Sequence, residues 1–442
     1  MIREYKTIEE VSGQLVLAKR VDNARLDELC EVKLPDGSVR PCRVIEINGG
    51  DVLLQLLSSA DGIDPSECKV RFTSHGAELA VSPHMLGRIF NGLGSLKDGG
   101  VRLIPETTLN VNGAPINPVA RLCPDEMIKT GLSAIDGIAP LAKGQKLSII
   151  SGSGMPGTEL AAFLAANARM GEDENKRPAI VFAAMGITFE DAERFVSEIK
   201  RSGAIDRSVL FMNLASDPSA ERILTPRVAL TAAEYLAFER DMDVLVIITD
   251  MTCYADALRE LSSAKGEPSD DLGYPVYLYS DLASICERAG RKKGSDGSIT
   301  LLPIISLPGD DRAHPLADAM KQITEGQITL SRELFREGCN PPIDPLDSAS
   351  RYTSRVIGEG KTSEDHEELM NALLDRYACG REVRALLAVR GEEGLDEPQK
   401  AHLSFAAEFE KSYIGQGSGE RRSVEETLEL GRTLLDKYFP SK

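Results

Sequence analysis

The chain has 442 residues, 42% of them apolar, enough for two or three domains with sizeable cores. A formal charge of −18 argues against a nucleic-acid backbone as the main partner. The eight cysteines are scattered with no C-x-x-C pair, which points to reduced thiols rather than to a disulfide framework or a zinc site.

The first segment, residues 1–75, alternates apolar and polar residues in short runs such as Gln14–Ala18, Pro41–Ile47 and Asp51–Leu57. Turn signals, Pro35-Asp36-Gly37 and Asn48-Gly49-Gly50, separate them, so a small antiparallel β-barrel is predicted. Its N-terminus has no apolar run of the signal-peptide kind. Residues 76–350 change character. Strand-like runs at Leu147–Ile150, Ala179–Ala183, Val209–Met212, Val244–Ile248 and Leu301–Ile305 alternate with helical patterns, which predicts an α/β domain with a mostly parallel sheet. Phe189–Arg201 places Phe189, Ala192, Phe195, Val196 and Ile199 on one helical face. Thr225-Pro226 reads as an N-cap and first turn of a helix running to about Arg240. Residues 351–442 hold no strand-like run. Thr362–Tyr377, Val383–Arg390, Pro398–Ile414 and Ser423–Tyr438 read as amphipathic helices of a C-terminal bundle, broken at Gly391–Gly394 and Gly415–Gly419. The most apolar run, Val244–Ile248, is far short of the roughly 20 residues that span a bilayer, so a soluble, cytoplasmic protein is expected.

The chemistry-bearing segment is Ser151-Gly152-Ser153-Gly154-Met155-Pro156-Gly157-Thr158, a glycine-rich turn between an apolar strand and an alanine-rich helix. That is the setting of a phosphate-binding loop, whose pattern is G-x-x-x-x-G-K-[ST]. Anchored on Gly154, the lysine position falls on Gly157. Anchored on Gly152 and Gly157, it falls on Thr158. Neither register supplies the cation that sits on the β/γ-phosphates. Asp250, ending the run Asp243–Asp250, sits where such proteins keep a magnesium-holding carboxylate, although an aspartate there can equally cap the following helix, Tyr254–Ala264. The strand after the loop's helix ends Phe182-Ala183-Ala184-Met185-Gly186-Ile187-Thr188 without a carboxylate to position an attacking water. Lysine and base are therefore missing together.

Several stretches carry a resemblance across nearly the whole chain. They are Met85–Gly94, Ile116–Arg121, Thr130–Asp136, Gly144–Pro156, Gly273–Ala283, Thr324–Ile328 and Pro341–Leu346, the last leading into Ser348-Ala349-Ser350-Arg351. Together they resemble the B subunits of the V-type/A-type rotary ATPases, the non-catalytic chains of the head. The resemblance implies a subunit that alternates with catalytic A subunits in a hexamer and is not catalytic on its own. It implies that Arg351 acts as an arginine finger in trans, with ATP or ADP and magnesium at the interface with the catalytic subunit and weak or no nucleotide at its own loop. Ser350, Tyr352 and Arg355 become interface candidates; the family usually continues Leu-Met-Asn after the arginine, where this chain has Tyr352-Thr353-Ser354. Arg288 and Arg312 are further candidates, either of which could instead form an internal salt bridge. The segment 391–397 resembles the acidic region that touches the rotating stalk. Central-stalk and peripheral-stalk subunits, and indirectly a membrane sector moving protons or sodium, would be partners, and nucleic acid would not. The alternatives are a self-contained hexameric P-loop ATPase, which needs the missing lysine and base, and a nucleotide-sensing assembly protein outside any rotary complex.

Overall fold

Apolar–polar alternation with glycines at the turns builds the first unit. The computed structural model describes residues 3–171, 176–390, 395–417 and 419–440. Strands β1 (Arg3–Tyr5), β2 (Ile8–Ser12), β3 (Leu15–Ala18), β4 (Glu28–Lys33), β5 (Val39–Asn48), β6 (Asp51–Leu56) and β7 (Lys69–Gly76) pair antiparallel in the order β1-β7-β4-β5-β6-β3-β2. Gly37 (φ 85°) and Gly49 (φ 63°) take the left-handed conformations those turns need. The end strands β1 and β2 are joined by Lys6 and Thr7 alone, and the sheet rolls into a β-barrel around Val16, Val32, Val44, Leu54, Val70 and Phe72.

The middle of the chain forms one twisted sheet. Its strands are β8 (Ile89–Asn91), β9 (Ser148–Gly152), β10 (Ala179–Ile187), β11 (Ser208–Leu214), β12 (Asp243–Thr249), β13 (Ser298–Leu307), β14 (Gly326–Leu330) and β15 (Ile343–Ser350). They lie in the order β15-β14-β9-β13-β12-β10-β11-β8, parallel along this path except for the antiparallel pair β14–β15, and the short strands Gly290–Lys292 and Arg121–Leu122 add antiparallel beside β13. Both faces are covered, which is why the central strands read as continuous apolar runs. Val181, Ala183, Val246 and Ile248 join one core with helices α3 (Ser219–Glu234), α4 (Met251–Lys265), α5 (Leu278–Cys286) and α6 (Pro315–Ile323). Ile180, Phe182, Leu245 and Ile247 join the other with α1 (Gly157–Asn167) and α2 (Phe189–Arg201). That second core continues into the C-terminal helices α7 (His366–Arg390), α8 (Glu397–Glu408) and α9 (Val424–Tyr438) through Leu373, Tyr377, Phe405, Phe409 and Leu428.

Three local expectations need correction. Thr225-Pro226 does not open a helix: α3 begins two turns earlier at Ser219, because Ala220, Ile223 and Leu224 bury against the sheet and carry the helix upstream. Thr225 Oγ1 donates back to Glu221 O (2.9 Å), and after Glu234 the chain continues as a π-helical turn, Tyr235–Glu239. The two helices expected at 362–377 and 383–390 are one, α7, which runs through Gly380. A Cβ on Gly380 would lie 2.6 Å from both His402 O and Ala406 Cβ, so glycine there serves the close approach of α7 and α8 and does not break the helix. In α2, Ala192, Phe195 and Ile199 are buried as expected, but Phe189 in the first turn is exposed. Residues 391–394, predicted as a break and as part of the stalk-facing acidic segment, lie outside the described residues; beyond them Leu395 is buried and Asp396 caps α8 in a capping box with Gln399.

Candidate functional site

The glycine-rich turn connects β9 to α1. The strand ends at Gly152 and the helix starts at Gly157, so Gly157 and Thr158, the two residues that the lysine position can fall on, both stand in the first turn of α1. Glu159, whose exposed carboxylate lies in the same turn, pairs with Arg194 at 3.2 Å. An anion there already uses the positive end of the helix, an interaction worth about 0.3–1 kcal/mol. A phosphate cradle needs main-chain amides turned toward the ligand. Here Ser153 N donates to Leu307 O (3.2 Å), Met155 N to Gly152 O (3.1 Å) and Gly157 N to Met155 O (2.8 Å), while Pro156 has no N–H. Gly154 makes the turn at φ 74°, and Ser151, buried, donates its hydroxyl to Ile305 O at 3.1 Å.

An arginine closes this end of the sheet. Ser331 follows β14 and caps the short helix Arg332–Arg336. Arg332 Nη2 donates to Ser153 O (2.7 Å) and Asp310 Oδ1 (2.8 Å), and its Nε donates to Asp310 Oδ2. The guanidinium holds the Asp310 carboxyl below the usual carboxylate range. A Cβ on Gly152 would strike Asp310 and come within 2.7 Å of Arg332 Nη2, so a side chain there would have to displace the pair. The sequence reading missed Arg332. Its one signal is position, immediately after a strand that neighbours β9.

Asp250 behaves as the helix cap. Its Oδ1 accepts from Thr252 N (2.8 Å) and Ser306 N (3.2 Å) at the head of α4, and burial pushes its pKa up. Arg288 is buried within α3 and its surroundings, forked onto Glu234 through Nε (2.8 Å) and Nη2 (2.7 Å) and donating to Val111 O (2.9 Å); it is an internal salt bridge and not a surface arginine. Arg312 pairs with Asp347 at the surface. At the end of β10, Thr188 caps α2, and Glu190 and Asp191 stand in its first turn.

The other end of the sheet carries Arg351. β15 pairs with β14 so that Ile343 faces Leu330 and Ser350 faces Gly326, which puts Arg351 beside the N-terminal ends of β14 and β9. Its own loop lies beyond the C-terminal end of β9, roughly 20 Å away at about 3.3 Å per residue. Arg351 therefore cannot serve its own loop. A register break between Gln327 and Thr329 is filled by Ser348, whose Oγ accepts from Thr329 N (3.0 Å) and donates to Asp344 O (2.6 Å). Arg351 N donates to Glu325 O (2.9 Å), and the exposed guanidinium makes one long bond, 3.3 Å, to Lys321 O. Tyr352 is half-buried against the second core, Arg355 is exposed on the short helix Thr353–Val356, and Ser350 bonds to Gln145.

Residues 8–74 match the β-barrel domain of the ATP synthase alpha/beta family, residues 131–350 its nucleotide-binding domain, and residues 355–442 the C-terminal domain of V and A type ATP synthase. The solved ATP synthase subunit NeqB from Nanoarcheaum equitans is similar over 96% of this chain and 99% of that one, at 37% identity and a TM-score of 0.76. The chain belongs to the ATP synthase alpha/beta family. Its C-terminal helices place it with the V/A-type members. Among the described residues no helix is long and apolar enough to cross a membrane. The glycine-rich loop lies within the matched nucleotide-binding domain. Three loop amides are bonded internally, no lysine is present, and the nearby cation, Arg332, is neutralised by Asp310.

Proposed function

We propose that this chain is the non-catalytic, regulatory B-type subunit of a V/A-type rotary ATPase or ATP synthase. It alternates with catalytic A subunits in a hexameric head and extends Arg351 into their ATP sites, where ATP or ADP is held with magnesium. The observation that carries this reading is the placement of an exposed, nearly unbonded guanidinium at the end of the sheet remote from the chain's own loop. A guanidinium stays charged and offers a planar fork to phosphoryl oxygens. Supplied in trans, it stabilises the charge that gathers on the transferring phosphoryl group, an effect worth about 10³–10⁵ in rate in other NTPases. Ser350, Tyr352 and Arg355 are the neighbouring interface residues. The chain's own loop holds nucleotide weakly or not at all. Central and peripheral stalk subunits complete the complex, with the segment 391–397 touching the rotor, and the head sits on the cytoplasmic side of a membrane sector that moves protons or sodium.

The test is a ring reconstituted with a partner chain that carries an intact G-x-x-x-x-G-K-T loop. Arg351→Lys should leave the ring assembled and cut ATP turnover by orders of magnitude; normal turnover in that ring removes Arg351 from its role. A self-contained ATPase is the competing reading, and motor-like ATP turnover by the isolated chain would revive it.

A further inference from the structure

Arg351 has an exposed side chain with one long bond, to Lys321 O, on a tightly held backbone, and one buried carboxamide holds the segments beside that backbone. Gln145 lies in the turn before β9 with no exposed surface. Its Nε2 donates to Glu325 O (2.8 Å) and to Ser350 Oγ (2.9 Å), while its Oε1 accepts from Ala142 N (2.8 Å). Both amide protons and the amide oxygen are thereby used, which determines the orientation of the group. The two acceptors are the residues that set the position of Arg351. Ser350 precedes it, and Glu325 O is the same carbonyl that accepts Arg351 N at 2.9 Å. The neighbouring side chains hold Glu325 in turn. Lys146 N donates to Glu325 Oε2 (2.7 Å), Lys146 Nζ lies 3.1 Å from Glu325 Oε1 and 2.6 Å from Glu287 Oε1, and Arg121 Nη2 lies 2.8 Å from Glu287 Oε2.

We infer that Gln145 is a positioning residue for the Arg351 guanidinium, clamping the end of β15 to the Glu325 turn so that the arginine projects from a fixed base. This rests on the reading of Arg351 given above. The physical reason is that a group acting on a transferring phosphoryl must be aimed before the reaction, and a displacement near 1 Å costs about 100-fold in rate. Arg351 sits at the end of an edge strand, where fraying is the default, so the aim has to come from a buried partner. An amide with two donors at one nitrogen can hold two acceptors on different segments, as this one does.

The experiment uses the reconstituted ring with Gln145→Leu, Ser350→Ala and Arg351→Ala, singly and with each of the first two combined with the third. Gln145→Leu should lower kcat by about 10- to 100-fold with KM unchanged, and Ser350→Ala by a smaller factor in the same sense. Both rings should bind MgADP normally but trap ADP with aluminium fluoride poorly. In the Arg351→Ala background neither should lower turnover further. Should Gln145→Leu fail to assemble, Ser350→Ala carries the test, since it removes one hydroxyl and leaves the turn intact. Wild-type turnover with Ser350→Ala and Gln145→Leu, in a ring that Arg351→Ala does inactivate, overturns the inference alone. So does a loss that multiplies fully with Arg351→Ala, because Gln145 would then act through stability. Normal turnover with Arg351→Ala overturns the reading of the arginine itself.

Discussion

The two ends of the central sheet differ in how their polar groups are spent. At the C-terminal end of β9 the amides of Ser153, Met155 and Gly157 are bonded to neighbouring carbonyls, and the loop meets Arg332 paired with Asp310. At the N-terminal end of the same strand the backbone is equally well bonded, yet the Arg351 guanidinium is left in solvent with one long bond. A group that is already satisfied gains little from a new ligand, whereas an exposed cation on a rigid base is available to a partner. The difference teaches that glycine content alone does not make a phosphate site; what matters is where the amides point.

The comparison can be broken most directly at the arginine. Arg351→Ala in the reconstituted ring is expected to lower turnover by about 10³–10⁵, read by steady-state ATPase assay with assembly checked by size-exclusion chromatography. The second largest effect belongs to Gly326, which has φ 142° and whose Cβ would strike Ala349 O and lie 2.9 Å from Ser350 Cα. Gly326→Ala should destabilise the chain by about 1–3 kcal/mol, the usual cost of overpacking, measured as a lowered denaturant midpoint, and it should disturb the arginine end in particular. Arg355→Ala sharpens the assignment from the other side. Arg355 is exposed, and an exposed arginine that makes a surface contact contributes up to about 1 kcal/mol, so the ring should lose only a fewfold in turnover.

A control lies outside both ends, in the junction with the C-terminal helices. His366 is buried, with Nε2 donating to Gly137 O (3.3 Å) and Nδ1 3.0 Å from Thr362 Oγ1. Burial lowers its pKa from 6.5, so the unfolded chain takes up the proton first and stability is lost as the pH falls below that value. The drop in melting temperature between about pH 7.5 and about pH 5.5 should be smaller in His366→Gln than in the parent. The smallest change is expected at the loop. Thr158→Lys restores the missing charge but leaves the internal amide bonds and the Asp310–Arg332 pair, so calorimetry with MgATP should still find no tight binding. Tight binding would mean that the loop lacks only its lysine.

Much of this was legible beforehand. The barrel follows from period-two runs and their turns, and the parallel sheet from five apolar runs alternating with helices. The motifs from Met85 to Arg351 carry the family resemblance in the sequence itself. Other features were not legible for physical reasons. β15, Ile343–Ser350, holds a proline and four polar residues, and such a strand is tolerated because it pairs on one side only, at the sheet edge. Thr225-Pro226 has the local chemistry of a helix start, but burial of the preceding turn overrode it. The helices expected at 362–377 and 383–390 are continuous through Gly380, and only the neighbouring helix reveals that glycine as a contact point.

Sequence by itself determined that the loop has no lysine, that no carboxylate stands at the end of β10, and that an arginine follows the Ser348–Ser350 segment, because these are questions of which residues are present. Tertiary structure decided that Asp250 caps a helix, that Arg288 is buried, and that Arg332 and Gln145 stand at opposite ends of one sheet. Those depend on strand order and register, which bring residues far apart in the chain to within hydrogen-bond distance and which no local pattern encodes.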